Sequence, residues 1–471
     1  MLINSDIYRE YDIRGVYNED FSDDFAYKLA QAFSTFCINT NPDKKSWVIS
    51  LGHDVRLSSP SLYKEMLAAF KQSNVSVYEL GLVTSPMSYF SSFIFPEVDA
   101  TLMITASHNP KNYNGFKMSL NSKSVFGTDI QKIKTIIDNN ALKQSSQKEL
   151  FFINKQEELY EKYIARYAKE FKNLASMPLA LDCGNGVGAC IAEKMYQAAG
   201  LSPIMLFDKL DGNFPNHHPD PTIESNLKDL KKVVLKSKLK IGIALDGDAD
   251  RLGVLDEKGN LIAVDKILSL FSQFVLKKNK NAKIVGDVKC SNILYQNIKA
   301  YGGQPIMWKT GHSLIKTKIA DENSPFGGEF SGHIFFADRN YGYDDALYAG
   351  LRLIEIMTET GLSITELLKD YPNTYTTPEL RIEVPVKDKS LLMKNIIAHY
   401  KTSNTFSTNF IDGVRIETKD SWGLIRASHT QSVIVVRCEA TTSEGLEKML
   451  KEIESQTKLP IKAELKQLLN G

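Results

Sequence analysis

Two stretches of the chain place reactive residue types where a fold can use them. The first is "ITASHNPKNYNGFK", residues 104–117. Its apolar lead-in, "ATLMITA", has the branched composition of a buried strand. Pro110 cannot donate an amide hydrogen bond and drives Asn109 out of helical angles, so the strand must break there. Ser107 is thereby placed at the end of a strand, a frequent position for a nucleophile on an open α/β sheet. An ordinary capped loop is the plain alternative. The second stretch is "ALDGDADRLGVL", residues 244–255. Asp246, Asp248 and Asp250 alternate, and alternate residues of an extended backbone point to one side. Three converging carboxylates repel one another unless a hard cation lies between them, which points to Mg²⁺. The plain alternative here is a solvated acidic turn.

Two decoys share the aspartate pattern. A calcium loop of the EF-hand kind would use Glu257 as its twelfth residue, but Arg251 stands where that loop turns on glycine, and the flanks read as strands. A phosphatase of the haloacid-dehalogenase type would use the first aspartate as its nucleophile. That reading leaves Ser107 idle and meets Asp250 where Thr or Val is usual. Two weaker signals follow. In "GGEFSGHIFF", residues 327–336, Glu329, Ser331 and His333 alternate. A carboxylate beside a hydroxyl suits vicinal sugar hydroxyls, and a histidine can move a proton near neutral pH. In "RASHTQS", residues 426–432, an arginine fork, hydroxyls and small residues would make a phosphate cradle between two apolar strands.

Strand-like and helix-like segments alternate for most of the length and must position these loops. "WVISLG" precedes "SPSLYKEMLAAFKQSN", "LALDCG" precedes "GACIAEKMYQAAG", and "KIVGDV" precedes "NILYQNIKAYG". Such alternation predicts βαβ crossovers and mixed or parallel sheets. After "LLKDYP" the texture changes to short β-rich runs flanked by two helices. The predicted architecture is α/β: three similar α/β domains with mixed sheets, then a smaller α+β C-terminal domain, with the active site in the central cleft. The boundaries read as 1–152 (serine loop), 153–256 (metal loop), 257–370 (sugar loop) and 371–471 (phosphate loop).

Composition narrows the function classes. With 57 Lys+Arg against 56 Asp+Glu, the net charge is +1, so no bulk field draws the 471-residue chain to nucleic acid or an anionic membrane. An anionic ligand must be held by a local cluster. Five scattered cysteines without metal-ligand spacing suit a reducing cytosol. The charged start and the lack of a run of about eighteen apolar residues predict neither signal peptide nor membrane span, hence a cytoplasmic protein.

Taken in order, the motifs resemble those of the α-D-phosphohexomutase superfamily, in particular its bacterial phosphomannomutase/phosphoglucomutase branch. "YREYDIRG" matches the family's opening, "TASHNP" its serine loop, "DGDADR" its metal loop, "GEFSGH" its sugar loop and "RASHT" its phosphate loop. The resemblance implies that Ser107 is a phosphoserine and that Asp246, Asp248 and Asp250, with the phosphate on Ser107, hold one Mg²⁺. It implies Tyr11, Arg14, Lys117 and Arg251 around the moving phosphoryl group, and Lys289, His312 and His333 along the cleft. Glu329 and Ser331 would meet sugar hydroxyls, while Arg426, Ser428, His429 and Thr430 would hold the phosphate that is not reacting. His429 and Ser432 replace the family's usual Asn and Pro, and Phe330 stands where relatives carry Met, Gln or Glu.

The implied activity is that of an isomerase of carbohydrate metabolism and nucleotide-sugar biosynthesis. It would interconvert hexose 6-phosphate and hexose 1-phosphate, of mannose and also glucose, through a hexose 1,6-bisphosphate that serves as intermediate and activator. Lys117 is the expected base, its pKa lowered by crowding cations. Phosphoglucosamine mutase, a Mg²⁺-dependent sugar phosphatase and a non-catalytic sugar-phosphate binder are the alternatives. The expected partners are small sugar phosphates, with no nucleic acid and no membrane, and a monomer or weak dimer as the working unit.

Overall fold

The computed structural model describes residues 3–428 and 432–470. His429 and Thr430 lie outside the described residues. Four sheets follow one another along the chain. The first contains β1 (Ile13–Val16), β2 (Val48–His53), β3 (Ser76–Leu82), β4 (Ala100–Ile104), β5 (Tyr113–Leu120), β6 (Lys123–Ser124) and β7 (Phe152–Asn154). Its order is β1-β5-β4-β2-β3-β7, with β6 on β5. Because β7 pairs with β3, the first sheet runs through the boundary drawn at 152.

The second sheet holds β8 (Leu179–Asp182), β9 (Ile204–Leu206), β10 (Ile241–Leu245) and β11 (Leu252–Leu255), ordered β11-β10-β8-β9. The third holds β12 (Lys283–Asp287), β13 (Gln304–Trp308), β14 (Phe326–Gly328) and β15 (Ile334–Phe336), ordered β13-β12-β14-β15. One plan governs all three. Two parallel strands are joined by a third parallel strand, which then turns back into an antiparallel partner: β4 into β5, β10 into β11, and β14 into β15. The serine, metal and sugar loops are those three turns. A motif that looks isolated in the sequence therefore occupies an equivalent place in each unit.

The inner parallel strands β4 and β10 are apolar and buried along their length, as expected of strands covered by helices on both faces. One hydrophobic core runs continuously from the first unit through the second and third, and includes Tyr163, Tyr196, Leu268 and Tyr348. The helix Ala346–Thr360 forms part of it. Asp345 caps its N-terminus by accepting the Tyr348 N–H, and Gly361 ends it with φ of 69°. The fourth sheet is antiparallel and includes β16 (Tyr375–Thr376), β17 (Leu380–Glu383), β18 (Ser407–Asn409), β19 (Val414–Glu417), β20 (Ser421–Ala427) and β21 (Val433–Ala440). It has its own core. All five cysteines are free thiols, and no helix among the described residues is long and apolar enough to cross a membrane.

Candidate active site

Ser107 lies beyond the end of β4 with φ of 50°, the left-handed region that a non-glycine residue enters only under constraint. The constraint is Arg56, a fully buried residue that sequence reasoning missed. Its guanidinium donates to the carbonyls of Ser107 (2.7 Å), Asn109 (2.5 Å), Pro110 (2.6 Å) and Tyr113 (2.9 Å), and Nε lies 3.2 Å from Asp54. Its only signal is a charged residue in the loop that follows an apolar strand. Ser107 Oγ donates to Asp246 Oδ2 at 2.6 Å and lies 3.1 Å from His108 Nδ1. Burial, then Arg251 and Arg14, push the His108 imidazole well below its usual range, so it is neutral.

The three aspartates are buried, and their ligand atoms lie within 4.8 Å of one another. They do not converge along an extended strand, as the alternation suggests. Residues 246–250 form a turn in which Ala249 has φ of 63° and Asp246 Oδ1 accepts the N–H groups of Asp250 (3.0 Å) and Arg251 (3.2 Å). Backbone-to-side-chain bonding of this kind curls the segment around the first aspartate. Burial, then Asp250 and Asp248, raise the Asp246 carboxyl well above the carboxylate range. Asp248 Oδ1 and Asp250 Oδ1 are buried without a hydrogen-bond donor among the described residues. Crowded carboxylates with bare inward oxygens fit a hard divalent cation.

Lys117 is brought to this turn across the β4–β5 ladder, paired with Met103. Its Nζ donates to Asp248 Oδ2 at 2.7 Å, Asp250 Oδ2 at 2.5 Å and Ser85 Oγ at 3.2 Å. Ser85, which also donates to Asp248 at 2.6 Å, is a second residue that the sequence did not reveal. The expectation of a lysine depressed by crowding cations is corrected here. Burial pushes the ammonium down, but Asp248 and Asp250 outweigh it and hold the pKa well above the ordinary lysine value.

Arg251 Nε donates to His333 Nε2 at 3.0 Å, and His333 Nδ1 lies 2.9 Å from Asp344 Oδ2. Asp344, unmarked by any motif, also lies 3.1 Å from Lys316. The sugar loop is a tight turn, with Gly332 at φ of 97° and Glu329 N–H donating to the His333 carbonyl at 2.9 Å. Glu329 and Ser331 are joined by a 2.9 Å hydrogen bond, whereas His333 is engaged with Arg251 and Asp344, so the three do not act as one row. His312 stacks on His333 with ring centroids 5.4 Å apart. Its ring nitrogens are buried without hydrogen-bond partners among the described residues, and burial holds it neutral.

The remaining expected residues close the ring. Tyr11 OH donates to the Thr310 carbonyl at 2.6 Å, tying the first unit to the third. Thr310 N–H and Arg426 Nε both donate to Asp412 Oδ2 at 3.1 Å, which ties the third to the fourth. Lys289 pairs with Glu379 at 2.8 Å across the same seam. Arg14 donates to Asn109 Oδ1 at 2.8 Å and the Ala106 carbonyl at 3.2 Å, bracing the serine loop. Ser428 N–H donates to the Val433 carbonyl at 3.0 Å.

Comparison with known proteins agrees with this layout. The chain matches the phosphoglucomutase/phosphomannomutase alpha/beta/alpha domains I, II and III over residues 5–144, 158–259 and 263–375, and the C-terminal domain over 379–456. It is 38% identical to a phosphoglucomutase of Neisseria gonorrhoeae, covering 95% of each chain. It is 37% identical to a phosphomannomutase/phosphoglucomutase of Pseudomonas syringae pv. tomato, covering 94% of this chain and 93% of that one. A crystal structure of a phosphoglucomutase/phosphomannomutase family protein from Burkholderia thailandensis superposes with a TM-score of 0.88 at 34% identity, over 98% of this chain and 100% of the other. With four domains matched in order and relatives aligned nearly end to end, the chain belongs to the phosphoglucomutase/phosphomannomutase family.

Proposed function

We propose that the protein is a phosphomannomutase/phosphoglucomutase that moves a phosphoryl group between O1 and O6 of a hexose. The observation that carries this reading is the meeting of Ser107 Oγ with Asp246 at 2.6 Å, where the serine and metal loops join. In the proposed reaction the bond from phosphorus to Ser107 Oγ breaks and a bond to the free sugar hydroxyl forms. The hydroxyl loses its proton and Ser107 regains one, leaving hexose 1,6-bisphosphate. After the sugar reorients, its other phosphate returns to Ser107 and the monophosphate leaves.

Asp246, Asp248 and Asp250 would hold one Mg²⁺ together with an oxygen of the Ser107 phosphate; when bound, it supplies electrostatic stabilisation of phosphoryl charge. Arg251, steadied by His333, faces the same turn and is 4.0 Å from Asp246. Asp246 and His108 are the groups within reach of the Ser107 proton. Lys117 enters as a cation held by Asp248 and Asp250. Glu329 and Ser331 are assigned to sugar hydroxyls. Arg426, Ser428, His429 and Thr430 are assigned to the distal phosphate, and Lys289 and His312 to the cleft wall. Tyr11 links the first unit to the third through Thr310. One chain supplies all four loops, which supports a working unit of one chain, alone or as a weak dimer. Five free thiols support a cytoplasmic setting.

The test is product analysis with Mg²⁺ and mannose 1-phosphate, glucose 1-phosphate or glucosamine 1-phosphate. The expected result is conversion of the mannose and glucose esters to 6-phosphates without release of inorganic phosphate. Stoichiometric phosphate release would make the protein a phosphatase. Conversion of the glucosamine ester alone would make it a phosphoglucosamine mutase.

A further inference from the structure

A cavity of about 870 Å³ opens between the first and third units, away from the catalytic loops: Ser107, Lys117, the three aspartates, Arg251, Glu329 and Arg426 do not line it. One wall comes from the helix Ser85–Ile94 and the β5–β6 turn, the other from the helix His312–Asp321 and residues 337–343. Its size falls within the range of small-molecule sites, about 300–1,000 Å³.

Three features of the lining define an occupant. Phe93 and Tyr341, one from each unit, stack at 4.5 Å with an interplanar angle of 26°, yet each remains 39% exposed. An exposed aromatic pair inside a concavity offers a platform for a flat ring. Lys123 and Lys280, again one from each unit, line the cavity, and neither side chain has a partner among the described residues. Asp338 is neutralised by Arg352 at 2.8 Å, whereas Asp321 has no side-chain partner among the described residues, and the lining also holds the Ser92 and Ser122 hydroxyls, 3.1 Å apart. A ring platform, two cations without partners among the described residues, and a lining that also carries a carboxylate and hydroxyls match base, phosphates and ribose.

We propose that this cavity is a regulatory site for a nucleotide. Lys316 joins it to the catalytic centre. It lines the cavity with Nζ 3.6 Å over the Tyr89 ring, and pairs with Asp344, which reaches His333 and through it Arg251. A ligand that bridges two units selects among their relative placements, and its coupling to the cleft is reciprocal.

The experiment is calorimetric titration of the full-length Ser107→Ala protein with ADP, GDP, UDP and inorganic pyrophosphate, the cleft being saturated with glucose 1-phosphate. At least one nucleotide is expected to bind one-to-one and more tightly than pyrophosphate. Affinity should fall about tenfold or more, about 1.4 kcal/mol, in Lys123→Glu/Lys280→Glu and in Tyr341→Ala. Both sets of changes, made in the wild-type background, should leave nucleotide-free turnover and the melting temperature near wild type. The surface lysine pair keeps the test open if Tyr341→Ala unfolds. The proposal is overturned if no nucleotide binds at millimolar concentration, if pyrophosphate binds as tightly, if the lysine changes leave affinity untouched, or if glucose 1-phosphate displaces the nucleotide. The binding readout does not depend on mutase activity, so failure of the proposed reaction would be seen separately.

Discussion

Arg56→Lys tests how the serine loop is held. The guanidinium serves four carbonyls and Asp54 from a fully buried position. An ammonium has three N–H donors; with one kept for Asp54 it leaves two of those four carbonyls bare. Only the bond to the Ser107 carbonyl is fully buried, and the Pro110 carbonyl keeps the Tyr113 N–H, so the loss is that of one buried acceptor, about 1–3 kcal/mol of local stability. The cost falls where Ser107 is held at φ of 50°, and relaxation toward an ordinary conformation moves Oγ away from Asp246. Misplacement by about 1 Å is worth on the order of a hundredfold in rate. Steady-state turnover with glucose 1-phosphate should therefore show a large fall in kcat with little change in KM, together with a lower melting temperature. Wild-type kcat and melting in Arg56→Lys would refute the reasoning, because it would mean that the loop holds its shape without the clamp.

Asp248→Asn should raise the Mg²⁺ concentration needed for half-maximal rate, since a charge is lost from a set that has bare inward oxygens; an unchanged Mg²⁺ titration would argue for a purely structural acidic turn. Gly247→Ala would set a Cβ 2.5 Å from the Ser107 carbonyl oxygen, so it should cost on the order of a hundredfold in kcat, and an active Ala variant would show that the two loops do not need this close approach. The third prediction concerns pH. Burial pushes the Glu379 carboxyl up, but Lys289 and Arg381 outweigh it and hold it at about 2 against an ordinary 4.5. Because the folded pKa is lowered, its stabilisation is present above 4.5 and is lost as pH falls toward 2. Melting curves in that window should drop more steeply for wild type than for Glu379→Gln, and parallel curves would contradict the assignment.

The alternating pattern made the three-layer units legible, because buried parallel strands read as continuous apolar runs. The loops were legible because each concentrates unusual residues at a strand end: Pro110 after Ser107, the aspartate triplet after Leu245, and paired glycines before Glu329. Hidden from the sequence was the equivalence of those loops, which emerges only when β4–β5, β10–β11 and β14–β15 are seen to be the same turn. Hidden too were the residues that brace them. Arg56, Ser85, Asp344 and Asp412 act from other elements through hydrogen bonds and ion pairs to residues distant in the sequence, and such types are common on any surface. The reasoning about Lys117 failed because it counted the cations of the motifs and not the carboxylates opposite them. Alternation placed the aspartates together for the wrong reason, since a turn, and not an extended strand, makes them converge.

The central claim is that Ser107 carries the phosphoryl group that reaches the sugar. Intact-mass measurement of protein carrying isotopically labelled phosphate, before and after mixing with excess unlabelled glucose 1-phosphate, tests it most directly. The account predicts one labelled phosphate per chain, mapped to Ser107, that is exchanged for an unlabelled one while the label appears in the sugar phosphates, with neither event in Ser107→Ala. A Ser107→Ala protein that still converts glucose 1-phosphate to glucose 6-phosphate, or a labelled wild-type phosphate that stays on the chain through turnover, would contradict it.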